Sequence, residues 1–324
     1  MKLILLLVIS VFWAMNMGAS GLAVSFAPSV GSGVIKRKRA VIFFTIFVLL
    51  GSLLVGGRVA KTLSSKIIPQ ALITEPVVLI ILLSAGVALF LANRIKIPQS
   101  TSIIIVGAFT GAGIYFRSLN VSMLLYLVSI WIGVSLLSYV FTHFLIAKIY
   151  PPRHGNLRFY EKFFSHENKL KKWTLLTDYY SAFGIGTNNV ANVVGPLIAA
   201  NLISPNLGFL FFSLIFGLGS IVFGKGVLNT VSKEIVPLGP VSASIVSLVV
   251  STFIIVCSLL GLPAPYVQFS SLSILAVHTV KEEKNHIQTL QHPITVKILK
   301  VWLLTPIFSA AASYLLLFIF QIKR

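Results

Sequence analysis

The chain has 324 residues, 56% of them hydrophobic and only 10% charged, whereas a soluble domain carries about a quarter charged residues. That composition excludes a water-soluble globular protein, and apolar runs of about 20 residues, enough to cross a bilayer, recur from end to end. The net charge of +19 does not mark a nucleic-acid binder, because the basic residues gather in short loops between apolar runs, as the positive-inside rule expects.

The N-terminal MKLILLLVISVFWAM reads as an uncleaved first membrane segment, over 2–17. Ala14, Gly18 and Ala19 imitate a signal cleavage site, but Gly18 onward matches a later stretch, and cleavage there would split a matched unit. Further crossings are expected near 40–57, 76–93, 101–116 and 121–147, then near 174–203, 207–224, 238–260, 266–280 and 295–321. The class is an all-α polytopic membrane protein of about 10–12 segments. The only cysteine, Cys257, lies in an apolar run, so no intramolecular disulfide forms and no cysteine metal cluster is available.

An internal repeat organises this list. GASGLAVSFAP from Gly18 aligns with GTNNVANVVGP from Gly186, an offset of 186 − 18 = 168. At the same offset Leu50, Gly51 and Ser52 meet Leu218, Gly219 and Ser220; Gly56, Val59, Thr62, Ser64, Ile67 and Pro69 meet Gly224, Val227, Thr230, Ser232, Ile235 and Pro237. After a three-residue slip, Ile97-Pro98 meets Leu262-Pro263. The expected organisation is a first transmembrane repeat over 1–147, a basic cytoplasmic loop over 148–172 and a second repeat over 173–324. Five crossings per half would invert one repeat relative to the other. That places KRKR (36–39), NRIK (93–96) and the long loop on the cytoplasmic side, with both termini outside. Arg58, Lys61, Lys66 and the terminal QIKR fit that orientation less well.

Inverted repeats with broken helices are a common transporter plan, in which half-helices end near the bilayer midplane and turn their N-terminal amides toward the substrate. MNMGASG (15–21) and GIGTNN (184–189) fit it, with glycine interrupting the apolar run and small polar residues following. The candidate substrate-binding residues are therefore Gly18, Ala19, Ser20, Gly21, Gly186, Thr187, Asn188 and Asn189. The bland reading of such residues is helix packing; it weighs evenly for Gly18, Ala23, Gly186 and Ala191, and less for Ser20, Asn188 and Asn189. Asn192, one turn after Asn188, could serve as support or as ligand. In IPQSTS (97–102), Ser100, Thr101 and Ser102 either cap the helix that follows or reach the substrate, capping being the simpler role. The matching LPAPYVQFSS (262–271) has lost the Ser-Thr-Ser run.

GTNNVANVVGPL resembles the GANDVANAxGxx signature of the inorganic phosphate transporter (PiT) family, and GASGLAVSFAPSVGSG resembles it in weaker form. GGRVAKTLSSKIIP, GKGVLNTVSKEIVP and the Pro-x-Ser-Thr of IPQSTS extend the resemblance over nearly the whole chain. The departures are specific: both signature aspartates are missing, with Ser20-Gly21 and Asn188-Asn189 in their place, and Val48 and Phe216 stand where the family tends to carry a glutamate. Hydrogen phosphate offers a hydroxyl donor that a carboxylate can receive, whereas sulfate offers only acceptors. A carboxylate facing sulfate would set acceptor against acceptor and add like charge, at a cost on the order of several kcal/mol. With MNMGASG, these substitutions resemble the sulfate permease (CysP-type) branch. The resemblance implies secondary active import of sulfate through the cytoplasmic membrane, without a cofactor, metal or enzymatic step, and leaves a homodimer open. Phosphate or another tetrahedral oxyanion is the alternative.

Loss of those carboxylates also removes sodium ligands, which makes protons the expected coupling ion ahead of sodium. Of seven acids, Asp178 alone lies just before a signature, in LLTDYYSAFGIG. It is the candidate coupling residue, against the plainer role of pairing with Lys171 or Lys172. Arg58 reads as an interfacial snorkelling side chain, and His143 and His278 as packed histidines. GSIVFGKG (219–226) imitates a phosphate-binding loop but lacks the closing Ser/Thr and lies in a span. A lipid-phosphate enzyme would need an acid, base or metal cluster that the sequence does not display; a channel would never accumulate its ion against a gradient.

Overall fold

A computed structural model describes residues 2–94, 99–150, 154–158, 161, 167–230, 239–281 and 293–322. All regular structure among them is helical. The first half comprises α1 (Lys2–Gly31), α2 (Arg37–Gly51), a π-helical segment (Ser52–Gly56), α3 (Gly57–Ser65), α4 (Glu75–Arg94), α5 (Thr101–Tyr115) and α6 (Val121–Ile149). The second comprises α7 (Glu167–Asn189), α8 (Ala191–Ala199), α9 (Pro205–Val222), α10 (Gly224–Thr230), α11 (Pro240–Leu259), α12 (Tyr266–Lys281) and α13 (Pro293–Ile319).

Seven of the described helices are long and apolar enough to cross a membrane. They cover most of the crossings expected from sequence; α5, α12 and the more polar α7 account for the rest. Exposed leucine, isoleucine and phenylalanine side chains dominate the outer faces of α6 and α13, such as Leu125, Ile132, Leu136, Leu303, Ile307 and Phe318. Apolar surface on that scale is stable against lipid rather than water. The NRIK run beyond Arg94, Ile97-Pro98, Glu234, Glu282, Glu283 and much of the basic loop lie outside the described residues.

The two halves repeat one another helix by helix: α1 with α7–α8, α2 with α9, α3 with α10, α4 with α11, α5 with α12 and α6 with α13. They also exchange partners. α1 packs on α9 while α7 packs on α2; α1 packs on α10 while α8 packs on α3; α5 packs on α13 while α12 packs on α6. Such reciprocity is what a twofold relation between like units produces.

The reciprocity reaches individual atoms. A Cβ on Gly18 would overlap the Phe216 backbone, and one on Gly186 would overlap the Val48 backbone. Subtracting 168 from 186 and adding it to 48 turns the second pair into the first. Gly219 against Met15 and Gly51 against Phe183 form a second pair related in the same way. Helix backbones therefore touch at four points where the helices cross, a geometry that only glycine permits and that membrane helices use because lipid offers no hydrophobic drive for association. Gly18 and Gly186 are thus packing residues. The position where the family tends to carry a glutamate is occupied by the two residues they press against.

One expectation fails here. α1 runs unbroken through Met15–Gly21, and GIGTNN ends a helix rather than opening one: α7 reaches Asn189 and the interruption falls at Val190. Even there Val190 keeps helical torsions (φ −62°, ψ −33°). Glycine in a membrane helix serves close packing as readily as it serves a break, and contact with a neighbouring helix decides between them.

Gly18→Ala and Gly186→Ala are each expected to destabilise the protein by about 1–3 kcal/mol through overpacking against backbone. Gly133→Ala on α6, where a new Cβ meets nothing within 4 Å, should be neutral or slightly stabilising. Thermal unfolding of the three purified variants in detergent checks the contrast.

Candidate functional site

The turn between α11 and α12 begins the site. α11 ends at Leu259, Leu260 follows, and Gly261 takes a positive φ of 75°. Its N–H bonds Ser258 O at 2.9 Å and the Leu262 N–H bonds Cys257 O at 2.8 Å, the paired bonds of a Schellman stop that needs a left-handed residue. The chain then runs through Pro263-Ala264-Pro265 into α12. Trp131 of α6 donates to Pro263 O (2.7 Å) and Arg58 donates to Leu259 O (2.7 Å). Arg58 thus holds the carbonyl end of α11, where a cation suits the helix dipole, instead of merely snorkelling.

Asn188, wholly buried in the last turn of α7, fastens this turn to the rest of the site. Its Nδ2 donates to Ser258 Oγ (2.8 Å) and Leu262 O (3.0 Å). Its Oδ1 accepts from the Ala264 N–H (2.9 Å) and from Ser102 Oγ (3.3 Å). One side chain therefore brings the start of α5 and the approach to α12 to the same oxygen atom. Asn192, in α8, continues the junction: its Nδ2 donates to Thr101 Oγ1 and Ser102 Oγ, both at 3.1 Å. The spacing of Asn188 and Asn192 puts both on the face that meets α5.

Several polar groups here lack a protein partner. Both amide atoms of Gln99, just before α5, and of Gln268, in the first turn of α12, are buried without a hydrogen bond, as is Asn192 Oδ1. Ser100 occupies the N-cap position of α5 but makes no side-chain capping bond. An orphaned buried polar group costs about 1–3 kcal/mol; four such atoms lie at the starts of α5 and α12, and a fifth on Asn192, which bonds the start of α5. Helix starts expose unpaired N–H groups and the positive end of the dipole. The chemistry on offer is neutral and rich in donors, and no carboxylate joins the hydrogen bonds of Asn188 or Asn192.

The candidates from sequence divide accordingly. Asn188 and Thr101 lie in this junction, and Ser100 stands at its edge. Thr187 borders it, with its hydroxyl on Gly184 O (2.7 Å) and 3.0 Å from Ser258 Oγ. Asn189 is half-buried. Thr101 and Ser102 bond the two asparagines, so the capping role is overturned. Gly18, Ala19, Ser20 and Gly21 lie within α1 instead. Ser20 is exposed and bonds Met17 O of its own helix (3.0 Å), and Gly21 faces Phe44 and Ile185. The half-helix openings are those of α5 and α12. Gln99 and Gln268 were missed, although an amide inside an apolar run was the available signal.

Asn188→Ala removes four hydrogen bonds and strands several buried groups, each costing on the order of 1–3 kcal/mol. Gln99→Ala and Gln268→Ala break no protein hydrogen bond. Thermal unfolding in detergent should show a large drop for Asn188→Ala and a much smaller change for either glutamine variant.

The model of the phosphate transporter family matches this chain twice, over residues 17–162 and 156–313, once for each repeat. The sulfate permease CysP of Bacillus subtilis (strain 168) is 37% identical over 321 residues, which cover 96% of this chain and 86% of that one. A candidate phosphate permease of Pyrococcus furiosus is 23% identical over 340 residues, covering 80% of this chain and 82% of that one. Among solved structures, one titled the sodium-dependent phosphate transporter superposes with a TM-score of 0.82 at 20% identity, covering 99% of both chains, so the fold is shared. This is a multi-pass transporter of the cell membrane and not an enzyme, and the chain belongs to the phosphate transporter family.

Proposed function

We propose that the protein imports sulfate, held between the starts of α5 and α12 around Asn188 and Asn192, in exchange for the energy of a proton gradient. The observation that carries this reading is the set of buried, unpartnered amides of Gln99 and Gln268 beside a hub without carboxylates. Sulfate needs only donors. Two amide NH2 groups, the Ser100 and Thr101 hydroxyls and two helix N-termini supply them without a negative charge to oppose the guest. The CysP relative, which carries sulfate in its name, is similar over nearly the whole chain.

Coupling to protons follows from the missing signature aspartates, with Asp178 as the group that carries the proton. The side chain is wholly buried, and its Oδ2 accepts from the Ser29 N–H at 3.3 Å while Oδ1 has no partner. An ionisable group in a membrane helix is a functional group by default.

One observation favours a second reading. Asn192 Oδ1 is a buried acceptor without a donor, and the hydroxyl of hydrogen phosphate could supply one. Rotation of that amide would remove the vacancy, with Oδ1 accepting from Thr101 Oγ1 and Nδ2 turned toward the anion.

In cells that lack sulfate import, labelled sulfate should accumulate and excess unlabelled phosphate should leave that uptake intact. Phosphate uptake that excess sulfate does not reduce would overturn the sulfate reading. Gln99→Ala and Gln268→Ala should each raise the half-saturating sulfate concentration about tenfold or more, since a hydrogen bond to a charged group contributes about 1.5–3 kcal/mol.

A further inference from the structure

The interface between α7 and α11 is lined with hydroxyl groups that run from the anion junction toward the buried Asp178. On α7, Thr174, Thr177, Asp178 and Ser181 are buried at spacings of three or four residues, and the buried Thr187 and Asn188 follow about two turns later. On α11, Ser244, Ser251 and Ser258 recur every seventh residue and are also buried. The two rows meet in register. Ser244 Oγ lies 3.4 Å from Thr174 Oγ1, Ser251 lies against Gly184, and Ser258 accepts from Thr187 and Asn188.

Asp178 sits in this seam, and Ser181 follows it by one turn. Ser181 Oγ is 2.7 Å from the phenolic oxygen of Tyr266, the first residue of α12. Tyr266 is two residues before Gln268, so a single hydroxyl pair joins the neighbourhood of the buried acid to the helix start that frames the anion. Asp178 Oδ1 is buried without a hydrogen-bond partner, the Ser29 side chain stands beside the same carboxyl and Ser251 beside the Tyr266 hydroxyl.

We propose that this seam is the proton pathway of the transport cycle, with Asp178 as its proton-binding group and the Ser181–Tyr266 pair as its link to the anion junction. This rests on the proton-coupled reading given above. In the cycle a proton is taken up on Asp178 Oδ1 and released on the opposite side, with no other bond made or broken. Tyr266 and Ser181 act as positioning residues that pass the state of Asp178 to the start of α12.

The groups that face Asp178 are consistent with that role. α1 presents Ser29, and α11 carries Ser244 and Ser251. α12 presents Tyr266, the titratable group nearest along the seam. On α2, Phe43 and Phe47 hold the neighbouring Tyr179 ring at 4.9 Å each. The cations of α2 sit at its start, with Lys38 and Arg39 exposed and Arg37 donating to Ser220 and Ile221 carbonyls. Lys169, Lys171 and Lys172 lie on α7 itself, nearer its start; α8 contributes no ionisable side chain.

The test uses the full chain in proteoliposomes with labelled sulfate and two readouts. One is net uptake driven by an imposed proton gradient, followed across external pH. The other is sulfate–sulfate exchange with no gradient. Tyr266→Phe, Ser181→Ala and Asp178→Asn should each lower gradient-driven uptake by about an order of magnitude or more and flatten its pH profile, while exchange persists. Gradient-driven uptake and a pH profile unchanged in Tyr266→Phe and Ser181→Ala, beside a responsive wild type, would overturn the pathway alone. Loss of exchange in parallel with net uptake in both hydroxyl variants would also overturn it, since a structural role predicts that. Wild-type net uptake that ignores the imposed proton gradient, beside intact exchange, would overturn the proton reading itself, and the pathway with it.

Discussion

The constraint on which the molecule depends is backbone contact between helices at glycine. In lipid, apolar side chains gain little by meeting each other rather than acyl chains, so association rests on close packing and interhelical hydrogen bonds. Gly18 on Phe216, Gly186 on Val48, Gly51 on Phe183 and Gly219 on Met15 bring α1 against α9 and α2 against α7 with no side chain between the main chains. Ser220 Oγ adds a bond to Gly18 O at 2.9 Å, and Ser52 meets Ser213 at 2.8 Å across the same contact region. These crossings hold the two repeats together.

Where α7 ends decides the site. Its last turn delivers Asn188 to the α11–α12 turn and to α5 at once, and α8 delivers Asn192 to the same helix start. Each of these side chains would be costly in the membrane interior if unpaired. Asn188 is fully satisfied, whereas Gln99, Gln268 and Asn192 are not. The contrast is the physical basis of the proposed division into scaffold and binding surface: a satisfied amide specifies geometry, and an unsatisfied one has hydrogen-bonding capacity left for a guest.

The halves share a frame and differ in chemistry. At the offset of 168, Asp178 corresponds to Ser10, whose hydroxyl bonds Leu6 O of its own helix at 2.8 Å. Asn188 corresponds to Ser20, which is exposed on α1. The polar junction, the acid and the hydroxyl seam therefore gather around the second repeat's α7. The first repeat contributes α5 and the packing face of α1. A twofold frame built from small residues tolerates that divergence, because the glycine contacts constrain backbone and leave polar positions free to specialise.

Much of this was legible in the sequence. Composition fixed the membrane class, the 168-residue offset revealed the repeat, and the Gly-Pro-rich motifs carried the family resemblance. Asn188, Thr101 and Asp178 could be singled out because polar atoms in apolar runs are costly. Sequence alone could not tell whether the glycines of MNMGASG and GIGTNN break their helices or pack them, since both uses need the missing Cβ. Contact with Phe216 and Val48 decided for packing, and so moved the helix openings from residues 18 and 186 to the starts of α5 and α12. Gln99 and Gln268 gained their meaning the same way, because whether an amide is satisfied depends on neighbours brought from distant parts of the chain.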